Sequence, residues 1–123
     1  VVVSSLLFGA VHAVNPNATA LGVLVICMGG VLFACGYLVT RSLWLPIGLH
    51  IGWNLVEIQV LGFAGSGHVE PSILDTSVHG PAILTGGAFG PEGGLVALAA
   101  QLIGIGFLLI VFRMASVRKQ NKG

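Results

Sequence analysis

From Ala18 to Thr40 the chain runs without a formal charge, and that run constrains the fold more than any other feature. About 20 consecutive apolar residues are what a helix needs to span the hydrocarbon of a bilayer. Soluble domains of ordinary composition carry roughly 25% charged residues. Here 7% of the residues are charged and 55% are hydrophobic, and the mean hydropathy is +1.00. Five Lys and Arg with four Asp and Glu cannot cover the surface of a 123-residue soluble fold. The composition therefore predicts an all-α, polytopic transmembrane helix bundle, with the lipid bilayer as its first partner.

Four membrane helices are expected, over about residues 1–14, 18–40, 44–63 and 95–112. Asn15-Pro16-Asn17 breaks the first from the second, because proline forces an extended residue before it and asparagine supports turns. Gly22, Gly29, Gly30, Ala34 and Gly36 give the second helix small faces for close packing. Pro46 fits the first turn of the third helix, where a missing N–H costs little. Ala100 and Gly104 make a small contact face on the fourth. Residues 64–94 read as a long outer loop, and 113–123 as a polar, basic tail. The glycine run at 86–94 reads as turns, since no Gly-Lys-Ser or Gly-Lys-Thr follows it.

Charge sets the expected orientation. The basic residues are Arg41, Arg113, Arg118, Lys119 and Lys122. They fall at two helix ends on one side, which the positive-inside rule makes cytoplasmic. Glu70, Asp75 and Glu92 are then expected to face outward. Nothing in this pattern calls for a nucleic-acid partner. Val1 lies inside an apolar run with no Met and no charged segment ahead of it. The sequence accordingly reads as the C-terminal part of one longer integral membrane domain, without a signal peptide.

Against this background the polar residues within the apolar segments stand out. An ionisable side chain inside a membrane segment is costly and points by default to function. His50 and Asn54 lie one turn apart on the third helix, and Glu57 one turn further along. Such a pair can aim two groups at one ion or one water, or it can simply bond neighbouring backbone. His12 sits near the end of the first helix, with Phe8 a turn before it and placed to stack beneath the imidazole or to face lipid. Glu57 lies toward the outer end of its helix, where water reaches it, and reads as structural. His68, His79, Glu70 and Asp75 are irregularly spaced and read as a solvated loop. Cys27 and Cys35 stand about 12 Å apart along one helix, too far for a disulfide.

Taken in order, these residues resemble a known family. An apolar FxxxH segment (Phe8 to His12) is followed by a helix rich in small residues and a short turn at Arg41. Then come Ser42-Leu43-Trp44-Leu45-Pro46-Ile47-Gly48-Leu49-His50 and an HxxxN motif from His50 to Asn54. The pattern, over about residues 4–63, is similar to the CPBP family of intramembrane metalloproteases (CAAX-protease and bacteriocin-processing, or Abi). The TGGAFGPEGG loop and the last helix fit it less specifically.

The resemblance implies a hydrolase that cleaves membrane-associated peptides or proteins in a bacterial or archaeal cell membrane. His12, His50 and Asn54 would be catalytic, and His12 and His50 would bind a divalent metal, by expectation Zn²⁺. The family's remaining motif, a Glu-Glu pair followed by Arg on an upstream helix, is absent here. The family's proposed water activator is one of those glutamates, so this stretch alone is expected to be inactive. The alternative is a non-catalytic, family-like membrane protein acting in immunity, as a scaffold or in partner binding. A transporter would show inverted repeats or paired broken helices, and none is visible. Simple counting separates His12 and His50 in depth by roughly 10 Å. A short, tilted first helix or a sunken Asn15-Pro16-Asn17 turn would close that gap.

Overall fold

The protein, described by a computed structural model over residues 1–120, is all-helical, with no strand among the described residues. Its helices are α1 (Val2–His12), α2 (Ala20–Thr40), α3 (Trp44–Asn54), α4 (Ala82–Thr85) and α5 (Leu95–Gln120). A π-helical segment, Leu55–Val60, continues α3 directly. Two 3-10 turns, Gly87–Phe89 and Pro91–Gly93, join α4 to α5. Helices thus stand where the four apolar runs place them. Two, Ala20–Thr40 and Leu95–Met114, are long and apolar enough to cross a membrane.

Local chemistry sets the ends of α2. Thr19 caps its start, its hydroxyl accepting the Gly22 N–H at 2.9 Å, as threonine does for the orphan donors of a first turn. Arg41 ends it in the left-handed conformation, with φ 54°, and its N–H returns to the Tyr37 carbonyl at 2.6 Å. At the other end of the chain α5 does not stop at the first arginine. It runs on to Gln120, through residues expected to form a tail. Nothing after Gly106 breaks a helix, and basic residues in a last turn complement the helix dipole. Lys122 lies outside the described residues.

Helix α2 is the axis of the bundle, packing against α1, α3 and α5. Each neighbour meets a different glycine of α2. A Cβ at Gly30 would stand 2.8 Å from the Ser5 Cα on α1. One at Gly36 would meet Leu45 of α3, and one at Gly29 would meet Gln101 of α5. From the α1 side, Gly9 leaves space that the Cys27 Sγ fills. In lipid, helices associate by close van der Waals approach rather than by expelling water, and small residues permit it. On α5 the contact residues are Ala97, 3% exposed, and Gly104, against Leu32. Ala100, the expected partner of Gly104, is instead exposed toward a cavity.

The 64–94 segment is built rather than loose. The N–H groups of Ile73 and Leu74 bond the carbonyls of Gln59 and Val60 at 2.8 and 3.1 Å, satisfying the end of the π-helical segment. Gly67, at φ 85°, lies directly on the Pro16 carbonyl, where any side chain would collide. Its N–H donates to the Phe89 carbonyl at 2.7 Å. Phe89 is 1% exposed and its ring fills the space left by Gly22 and Gly93. The glycines of the 86–94 run are thus the turns that let one aromatic ring plug the bundle.

Exposure elsewhere matches a membrane setting. The spanning window of α5 keeps only 6% of its residues inside the protein. Its outer face of Ile103, Phe107 and Ile110 is apolar and exposed, as suits lipid or further apolar helices. Two substitutions test this packing by thermal unfolding of the detergent-solubilised protein. Phe89→Ala should destabilise by about 3–5 kcal/mol. Gly30→Val should cost about 1–3 kcal/mol by overpacking against Ser5. Wild-type melting of either variant would show that these contacts do not hold the bundle together.

Candidate functional site

His12 occupies the last position of α1, and Phe8 lies one turn earlier. Their rings stack with centroids 4.9 Å apart, tilted by 56°. The His12 Nδ1 is 2.6 Å from the Phe8 carbonyl oxygen. A carbonyl only accepts, so Nδ1 carries the hydrogen and donates it. In the neutral ring Nε2 is then the atom with a free lone pair. Backbone geometry alone therefore selects the tautomer.

His50, on α3, approaches the same phenyl ring from its edge, with centroids 5.4 Å apart and planes at 81°. Phe33 of α2 completes the bracket, 5.2 Å from His50 at 34° and 5.6 Å from Phe8 at 81°. These separations suit edge-to-face and tilted aromatic contacts. Because Phe8 touches both imidazoles, their centroids lie no more than about 10 Å apart. The shortness of α1 closes the expected gap in depth, since its 11 residues reach only about 16 Å.

Phe8, His12, His50 and Asn54 all line one cavity of about 370 Å³ between α1, α2, α3 and α5. Both motifs therefore open onto a single space, with His50 and Asn54 one turn apart on its α3 wall. Residues the motifs do not reveal complete the lining: Phe33 and Trp53 among the aromatics, and Ser66, Glu92 and Gln101 among the polar groups. Gln101 had a sequence signal of its own, as the one polar side chain of α5 before Arg113. Ser66 and Glu92 had none.

Two expectations about carboxylates are corrected. Glu57 is not wetted at a helix end but is 4% exposed. The wider π-helical turn after Asn54 takes it off the cavity lining, and neither of its oxygens has a hydrogen-bond partner. The Trp53 and Glu92 side chains are its polar neighbours. Glu92 does not face outward with Glu70 and Asp75. It turns into the cavity and accepts a hydrogen bond from the Ser66 hydroxyl. Glu70, Asp75, His68 and His79 are all exposed, as a solvated loop requires.

A metal needs convergent donors, and catalytic zinc sites take three protein ligands. Among the described residues no three His, Cys, Asp or Glu side chains converge in that way. The Phe8 ring also rests against both imidazoles. His12 and His50 would supply two donors to a zinc ion, and at least one further donor would be needed. What the cavity does offer is two imidazoles, two carboxamides and a carboxylate in an apolar setting.

Fold and cavity together suggest a helical membrane protein with a half-buried imidazole–carboxamide site. Residues 1–56 match the family model described as type II CAAX prenyl endopeptidase Rce1-like. The match supports a CPBP/CAAX-protease family fragment over this stretch, as the motifs indicate, and suggests a protease function of the CAAX type. No curated protein and no solved structure matches the chain.

The His12 geometry carries a spectroscopic consequence. Nitrogen-15 spectra of the protein labelled at histidine should show neutral His12 protonated at Nδ1. A predominant Nε2–H form would contradict the bond to Phe8.

Proposed function

We propose that the intact protein is an intramembrane endopeptidase of the CPBP type that cleaves membrane-associated peptides or proteins. The observation that carries this reading is the convergence of Phe8, His12, His50 and Asn54 on one cavity within apolar helices. Peptide hydrolysis needs a held water, a base, and a donor for the oxyanion of the tetrahedral intermediate. In this reading His12, through Nε2, and His50 hold the attacking water over the Phe8 ring. The Asn54 carboxamide donates N–H to the carbonyl oxygen as negative charge develops there.

The water's proton then passes to a base, and the departing amine takes a proton as the carbon–nitrogen bond breaks. By resemblance the base is a glutamate of the Glu-Glu motif, which is not in this sequence. A divalent metal, zinc by the same resemblance, would polarise the water, and it would need at least one donor beyond the two imidazoles. The CAAX description of the matched family supports a prenylated C-terminal peptide as the first substrate to test. The basic residues Arg41 and Arg113 support a cytoplasmic side for the α2–α3 turn and the C-terminal end of α5.

The test is cleavage of a prenylated CAAX-type peptide by the intact protein reconstituted in vesicles. His50→Ala should abolish turnover. Asn54→Ala should lower kcat by about 10²–10³-fold, the cost of removing one oxyanion donor. Both variants should keep the wild-type melting temperature. Undiminished cleavage by folded His50→Ala would reject the assignment and favour a non-catalytic, partner-binding role.

A further inference from the structure

Beyond the family-matched residues, α5 supplies a cavity wall of its own, and on that wall stands one amide. Gln101 is the only polar side chain between Leu95 and Phe112. It sits in a span of mean hydropathy 2.6. A carboxamide there is costly unless it meets a partner. Gln101 does not face lipid. It is half-buried and lines the cavity that holds His50 and Asn54. Its Oε1 is fully enclosed and has no hydrogen-bond partner among the described residues. The amide packs beside Gly29: a Cβ there would stand in ordinary contact, 3.4 Å from the Gln101 Nε2, so only a side chain larger than alanine at position 29 would push the amide aside.

A half-turn of the carboxamide keeps its shape and brings that acceptor to the side of Gly29, which lines the same peptide-sized space, and there it has an obvious complement. A peptide drawn into an apolar cavity carries backbone N–H groups that have left water. Each such group needs an acceptor or suffers the cost of burial unpaired. We propose that Gln101 is a substrate-positioning residue whose carboxamide oxygen accepts a backbone N–H of the bound peptide, away from the scissile bond. This rests on the protease reading above and deepens it. The peptide's main chain is held by α5, while its scissile carbonyl is presented to Asn54 and the imidazoles.

The test pairs a variant of the protein with a chemical variant of the substrate. The intact protein in vesicles is assayed with a prenylated CAAX-type peptide and with a series of depsipeptides. In each, an ester replaces one non-scissile amide and so removes one N–H donor. Wild type should lose about three- to tenfold in kcat/KM at one ester position, the usual worth of a single net hydrogen bond. Gln101→Met, close in size and unable to accept comparably, should raise KM for the all-amide peptide by a similar factor and leave kcat within about twofold. It should no longer discriminate against that ester.

Gly29→Val, whose branched side chain reaches beyond an ordinary Cβ contact and displaces the amide without removing it, should weaken the same discrimination and so guards against misfolding of the first variant. A Gln101 that merely bonds another helix would change melting and activity without touching the ester profile. Identical ester profiles in wild type and both variants would overturn the proposal, as would a loss confined to kcat. Absence of any cleavage by wild type would instead remove the protease reading and this inference with it.

Discussion

Everything in this bundle depends on how closely other helices can approach α2. Gly30 admits the backbone of α1 at Ser5, Gly36 admits Leu45 of α3, and Gly29 admits the amide of α5. Gly29 and Gly36 lie on one face of α2 two turns apart, and Gly30 lies about 100° round from Gly29, so one helix fixes three neighbours. Without a hydrophobic driving force between helices in lipid, the close fit is itself the source of stability. The hydroxyl of Ser5, buried at the tightest crossing, is satisfied locally by the Val1 carbonyl at 2.9 Å. No polar group is left stranded where the helices press hardest.

The same close approach builds the site. With α1 drawn onto α2, Phe8 reaches Phe33, and His50 enters the space between them. Phe8 then does two things that its sequence position alone does not specify. Its carbonyl fixes the tautomer of His12, and its ring carries both imidazoles. The spacing of a phenylalanine four residues before a histidine thus has a physical content. One residue sets where the ring nitrogens point and what lies beneath them.

Much of this was legible in the sequence. Uncharged apolar runs placed the helices, and Thr19 and Arg41 sit at ends that proline, asparagine and charge had marked. Two ordered motifs, each ambiguous singly, indicated one shared space. What was illegible arose from long-range packing. The π-helical turn at Leu55–Val60 leaves no local signature, yet it moves Glu57 off the line of His50 and Asn54 and into a buried position. Glu92 looked like an outer-loop acid because loop position says nothing about how 3-10 turns fold back. Only the seating of Phe89 against Gly22 turns that segment inward. The end of α5 was misjudged for a simpler reason. Bilayer thickness limits the apolar stretch to about 20 residues, but it does not limit the helix.

The match to a protease family ends at residue 56, whereas the cavity does not. Its remaining wall is made by the 64–94 segment and α5, through Ser66, Glu92 and Gln101. The matched half brings the imidazoles and the carboxamide, groups suited to moving a proton and stabilising an oxyanion. The other half brings a hydroxyl, a carboxylate and a second carboxamide, groups suited to holding a chain in place. Bond cleavage needs a fixed geometry at the reacting atoms, whereas recognition needs only complementary donors along the ligand. On the proposed protease reading, a cavity assembled from two such halves would keep its chemistry constant while the loop and the last helix set the substrate it accepts.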